Sequence, residues 1–388
     1  MTYRRGAIPA LAGGVLLTAL LWWAGASAYA LHLPGATGVL GSPATAELER
    51  WLLPWSYDPP ATVQLGTEGA GGLGDAAGAN SVRYLALYTT ALQIRFGAVF
   101  AFFVPGALLL VRRLPPIRGR MSATLLAVWA WGLVAGTLAV TVSAPWLIAS
   151  GGRGSFRFLP RLSGVISSGR PVLVVTALVA AVVTVLVARV TAKGAGPLPQ
   201  QAVPARAARL AATAGTAVIA FSLVVLSYLP VAATLQRMSP DAGLLAEPGD
   251  LLRQWLLLGA WSGPVGTPLG AWLLSRAADV LLLAVVWWAL RRLPGLLTRA
   301  TVPAMAAGAV CATVLGLLAR QLLRMVTMTG ESQGWGVLHL FAEIGDGVPA
   351  ALTWGLVAGV AAAVTLRVAR GRAETADAAT SVQGPDQS

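Results

Sequence analysis

Long apolar runs, interrupted by arginine-bearing or glycine-rich segments, make up most of this 388-residue chain. Each run is about 20 residues or longer, enough to cross roughly 30 Å of hydrocarbon at about 1.5 Å of helical rise per residue. Eight are predicted, at 7–30, 92–111, 122–148, 171–190, 210–233, 272–290, 301–328 and 348–366. The expected fold class is an all-α integral membrane protein with about eight transmembrane helices. Composition agrees, because 56% hydrophobic residues, 11% charged residues and a mean hydropathy of +0.71 lie far outside the range of soluble globular chains. The spans absorb most of the residues, so no separate soluble domain fits.

Orientation follows from the basic residues, since cytoplasmic connections retain arginine and lysine. Placing the N-terminus inside assigns to the cytoplasm Arg4 and Arg5, then Arg112, Arg113, Arg118 and Arg120, and then Arg189, Lys193, Arg206 and Arg209. Arg291, Arg292, Arg299, Arg367, Arg370 and Arg372 complete that side, whose only acids are Glu374, Asp377 and Asp386 in the tail. Both termini are then cytoplasmic in a multi-pass plasma-membrane protein. The formal charge of +13 points to the anionic inner leaflet as partner rather than to nucleic acid. "ASAYA" at 26–30 imitates a signal-peptidase site, but the apolar stretch before it exceeds a signal core. It reads as a retained span.

A repeat is visible in the polar landmarks. "VRRLP" at 111–115 returns as "LRRLP" at 290–294, and "ERWLLPWS" at 49–56 as "RQWLLLGAWS" at 253–262. Trp51 aligns with Trp255, Arg112 with Arg291, Arg120 with Arg299 and Pro171 with Pro349, in one order. Ordered matches of this kind mark internal duplication. The expected organisation is a first four-span unit over 1–191, a cytoplasmic linker at 192–209, a second unit over 210–369 and a disordered tail at 370–388. The first unit is longer by a Gly-rich outer insert at 64–81. Four spans per unit is an even number, so the repeats run parallel. Each unit also carries a short outer interfacial segment, whose Trp51, Trp55, Trp255 and Trp261 are expected at headgroup level.

Two outer loops are repeat equivalents of opposite charge. One holds Arg153, Arg157, Arg161 and Arg170; the other holds Glu331, Glu343 and Asp346. Two readings stand: a latch between the halves, or an outer site in which arginines hold a phosphate- or carboxylate-bearing molecule. Within the bilayer, ionisable residues are costly and functional by default. Asp279 is the acid clearly inside a span, with Arg276 three residues away on the same helix face and Arg320 and Arg324 spaced i and i+4 on the next span. These four residues form either a packing ion pair or a substrate or proton site. "GLVAG" at 132–136 and again at 355–359 offers small-residue faces for helix contact.

Several chemistries lack their residues. Two histidines, His32 and His339, and one cysteine, Cys311, exclude an intrachain disulfide and argue against a zinc or haem centre. No phosphate-binding GxxxxGK[ST] loop is present, so the chain has no ATPase of that type. His339, Glu331 and Glu343 are conceivable acid–base groups, yet no nucleophile, base and orienter can be assembled, and the chain is not expected to be an enzyme. No cofactor or metal is expected. The leading expectation is a transporter or permease component without its own ATPase, because parallel repeats around a midplane site are a recurring transporter plan. The alternative is a non-catalytic membrane scaffold or envelope-assembly partner. A separate nucleotide-binding subunit or other envelope proteins would be the partners.

Two resemblances accompany this reading. The Gly-rich stretch "LGTEGAGGLGDAAGA" followed by a span ending in "VRRLP" resembles the streptophobe-type polytopic membrane proteins of streptomycetes. That resemblance implies an actinobacterial inner-membrane protein of unknown function. The order span, outer segment, three spans is similar to the permeases of FtsX- and MacB-type ABC systems, without their large exported domain.

Overall fold

The computed structural model describes residues 3–33, 35, 38, 41–59, 76–116, 120–151, 158–192, 203–237, 247–259, 261, 263, 268–328 and 345–382. Among them there is no β-strand, and eight helices are long and apolar enough to cross a membrane. The spanning helices are α1 (Tyr3–Ser27), α3 (Ala76–Arg113), α4 (Met121–Ser150), α6 (Arg170–Thr191), α7 (Ala205–Ala220, its span completed by a π-helical turn to Leu226), α10 (Leu269–Leu296), α11 (Val302–Met328) and α12 (Val348–Val382). Four shorter helices lie between them: α2 (Ser42–Leu52), α5 (Phe158–Ser167), α8 (Leu229–Arg237) and α9 (Gly249–Leu256). The near face is where α1 begins, and an even number of crossings returns the last span to it. The far face carries the four shorter helices.

Helix neighbours are arranged alike in the two halves. In the first, α1 touches α3 and α6, and α4 touches both as well; in the second, α7 touches α10 and α12, and α11 touches both. Each set of four spans closes into a ring. The halves meet mainly through α4 against α11, with α3 against α11 and α4 against α12 at the margins. Cys311 sits in this seam, buried, its thiol donating to the Ala127 carbonyl at 3.3 Å. No hydrophobic force separates lipid from helix within a bilayer, so close approach depends on small residues. The two GLVAG sequences serve this purpose: Gly132 and Gly136 on α4 lie against Ala177 and Leu173 of α6, while Gly355 and Gly359 on α12 lie against Val310 and Ala306 of α11. Large apolar side chains such as Val175, Leu186, Val280 and Trp288 remain exposed on the surfaces that lipid would cover.

Local chemistry sets the helix starts. Gly169 (φ 71°) and Gly347 (φ 82°) each precede a span by one residue and lie two residues before Pro171 and Pro349. Positive φ comes without strain at glycine, and proline in the first turn gives up an N–H that would have no helical partner.

Three expectations need correction. The fifth span does not run on to 233: α7 passes into a π-helical turn at Phe221–Leu226 and breaks before α8. Pro230 is the reason, because its ring clashes with the carbonyl four residues back. The freed groups pair instead with Trp261, whose N–H donates to the Ser227 carbonyl at 3.0 Å and whose carbonyl accepts from Leu229 N–H at 2.7 Å. The second span begins earlier than 92, at Val82 within a helix α3 that starts at Ala76; Thr89 and Thr90 are accommodated by donating to the Leu85 and Ala86 carbonyls of the preceding turn. Finally, α12 remains helical to Val382, into the segment at 370–388 expected to be disordered. Its alanines, arginines and glutamate are strong helix formers. Residues 64–75 of the insert and 193–202 of the linker lie outside the described residues.

Candidate functional site

Buried arginines organise the far face. Arg95, on α3, is fully buried. Its Nε donates to Ser143 Oγ on α4 at 2.9 Å, its Nη1 donates to the Pro54 carbonyl, and its guanidinium lies 5.7 Å from the centre of the Trp55 ring. Trp55 is itself fully buried and donates from Nε1 to the Gly169 carbonyl at 3.1 Å, so it is not the headgroup anchor expected. An indole with both a cation over its face and a partner for its N–H is held in the interior rather than at the interface. Tyr88 donates to the Ser56 carbonyl at 2.8 Å. Next to it Tyr57, outside the spans, stacks on Phe96 with ring centres 5.6 Å apart, and desolvation raises its pKa.

A comparable arrangement holds the segment after α9. Arg320 of α11 donates from Nη1 to the Leu258 carbonyl at 2.9 Å, while Ser222 and Trp354 both donate to the Leu256 carbonyl, at 2.8 and 2.7 Å. Pro54 and Leu258 each stand three residues beyond an aligned tryptophan, Trp51 or Trp255. The arginine that reaches this carbonyl comes from α3 in the first half and from α11 in the second. Arg95→Ala is expected to release the turn at 53–58, leaving the Pro54 acceptor and Ser143 short of their partners at about 1–3 kcal/mol for each buried group. Faster limited proteolysis at that turn would show the release; cleavage unchanged from the parent protein would refute the clamp.

Of the four candidates inside the bilayer, three come together. Asp279 Oδ1 lies 3.0 Å from Arg320 Nε and Oδ2 lies 2.7 Å from Arg276 Nη1, with all three side chains largely buried. Arg276 also lies over the Trp261 ring, 4.6 Å from its centre. Arg324 does not join this cluster. It lines a cavity of about 600 Å³ between the halves on the far face.

That cavity is enclosed by α5 and the start of α6 from the first half, and by α9, α11 and the residues before α12 from the second. Its charged lining is Arg170, Arg253, Arg320, Arg324, Asp250 and Asp346. Arg170 and Asp346 form an ion pair across the seam, the one pair between the oppositely charged loops that falls among the described residues. Asp346 is 69% exposed, so screening limits the pair to about 0–1 kcal/mol. Gln321 fastens the same corner, donating to the Asp346 carbonyl at 3.2 Å and accepting from Gly345 N–H at 3.1 Å. Arg161 lies on α5, half-buried. Arg153, Arg157, Glu331, Glu343 and His339 lie outside the described residues.

The sequence reading missed Arg95 and the cavity residues of α9, Asp250, Arg253 and Gln254. Arg95 carried a usable signal, a lone charge inside an apolar run. The α9 residues carried none, because only the docking of α9 onto α5 turns them inward. No family model matches the chain, and neither does any curated protein or solved structure.

Proposed function

We propose that this chain is a transporter or permease component without an ATPase of its own, built as two parallel four-span repeats in the plasma membrane with both termini cytoplasmic. The observation that carries the reading is the polar cavity at the junction of the halves. Ligand sites in duplicated transporters form where the repeats meet, and a cavity open on the far face would be the mouth on the exported side. The duplication is supported by the matching neighbour pattern of the spans, by the Gly–x–Pro starts at Gly169 and Gly347, and by the stapled carbonyls of Pro54 and Leu258.

The near face favours a permease. Arg120 donates to the carbonyls of Leu296 at 3.1 Å and Gly295 at 3.3 Å, and Thr298 N–H donates to the Arg113 carbonyl at 3.0 Å. The two arginine-bearing loops are thereby joined into one surface, suited to anionic lipid and to a docked subunit. Mild crosslinking in native membranes followed by mass spectrometry tests the proposal. The expected result is a stoichiometric nucleotide-binding subunit joined to residues 112–121 or 291–300. Capture of other envelope proteins with no such subunit overturns it in favour of a membrane scaffold or envelope-assembly partner.

A further inference from the structure

The four arginines of the far-face cavity divide into two kinds. Arg170 is paired with Asp346 and Arg320 with Asp279. Among the described residues, no ion pair, hydrogen bond or aromatic ring engages the guanidinium of Arg253 or Arg324. Arg324 is one helical turn from Arg320, so two like charges share the α11 wall, an unfavourable spacing that a bound anion relieves. Arg253 reaches the same cavity from α9.

Two unpaired guanidiniums in one concavity match a doubly charged anion. A carboxylate supplies a single charge, whereas a phosphate monoester carries about −1.5 to −2 at neutral pH and several acceptor oxygens, which the arginine fork bonds in pairs. The volume argues further. About 600 Å³ lies within the range of roughly 300–1,000 Å³ typical of sites for organic ligands and far exceeds the needs of a lone phosphate ion. Leu257, Leu317 and Met325 provide apolar wall, and Gln254 has a buried side-chain oxygen with no donor among the described residues, ready for a ligand hydroxyl.

We propose that this cavity binds a phosphorylated organic molecule, its phosphate held between Arg253 and Arg324 and its organic part against Leu257, Leu317 and Met325. The assignment deepens the transport reading, on which it rests for the site's purpose, by naming the ligand class. A soluble ester and a lipid headgroup both present this phosphate to the arginines, and the test separates the two sources.

The test uses the purified full chain and needs no partner subunit, so its result is independent of the crosslinking outcome. 4-Nitrophenyl phosphate is titrated calorimetrically against protein in nanodiscs of neutral lipid, with 4-nitrobenzoate as the singly charged comparison. Phosphatidic acid is offered in parallel nanodiscs, and its retention is read by native mass spectrometry. Saturable binding of the ester, weakened about tenfold or more by Arg253→Gln and by Arg324→Gln, supports a soluble ligand. Retention of phosphatidic acid with the same dependence supports the lipid source. Arg253→Lys and Arg324→Lys, which keep the charge but lose the fork, should fall between parent and glutamine variants. Neither guanidinium has a partner among the described residues, so the glutamine variants should melt no lower than the parent protein. Failure of both probes, indifference to the substitutions, or equal affinity for 4-nitrobenzoate overturns the proposal.

Discussion

Asp279→Ala is expected to destabilise the protein by about 3–5 kcal/mol, the cost of breaking a buried ion pair from one side. Asp279 is the shared counter-ion of Arg276 and Arg320. Its removal leaves two guanidiniums uncompensated in a poorly solvated region. The loss should also travel, since Arg320 holds the Leu258 carbonyl and Arg276 lies on Trp261, whose backbone closes the break after the fifth span. Thermal unfolding in detergent gives the first reading. A second comes from Asp279→Ala combined with Arg320→Met, which removes one of the stranded charges and should recover part of the loss. A single-variant cost below about 1 kcal/mol, the range of an exposed pair, would mean that the cluster is solvated and unimportant to the fold. This bears on function, because a loss of transport on Asp279→Asn cannot be read as loss of a substrate contact unless the protein is shown to remain folded. Arg253 and Arg324 are the better probes of binding.

Gly359→Leu should also be severe, at roughly 3 kcal/mol or more, the upper range of overpacking. A Cβ at Gly359 would strike the backbone of α11, lying 2.8 Å from the Met305 carbonyl and 2.9 Å from Ala306 N. Backbone cannot rotate aside as a side-chain tip can. The two helices must separate, opening the interface between the third and fourth spans of the second half. Gly371→Leu, at a position on the same helix where an added Cβ would meet no atom within 4 Å, is the control and should be nearly neutral. Comparable melting temperatures for the two variants would show that α11 and α12 do not pack as described.

The eight spans were legible because an apolar run of about 20 residues has few other uses. The Arg276–Asp279 pair was legible from its i, i+3 spacing, and Arg320 from its place inside a run. Arg95 gave the same kind of sign but has no acid to suggest a partner: it is satisfied by the Ser143 hydroxyl and a Pro54 carbonyl far away in sequence. Trp55 was misjudged for the same reason, since composition places tryptophan at the interface on average and only the docked turn buries this one. Pro230 marked the break in the fifth span locally. The cavity had no local sign at all, because it belongs to the meeting of α5, α9 and α11 rather than to any one of them.

The closed rings have a consequence for how the protein is made. Each of the first four spans finds its two neighbours among the other three, so nothing needed to complete that ring comes from later in the chain. The first half can assemble in the membrane while the second is still on the ribosome, with α4 presenting a finished surface on which α11 later docks.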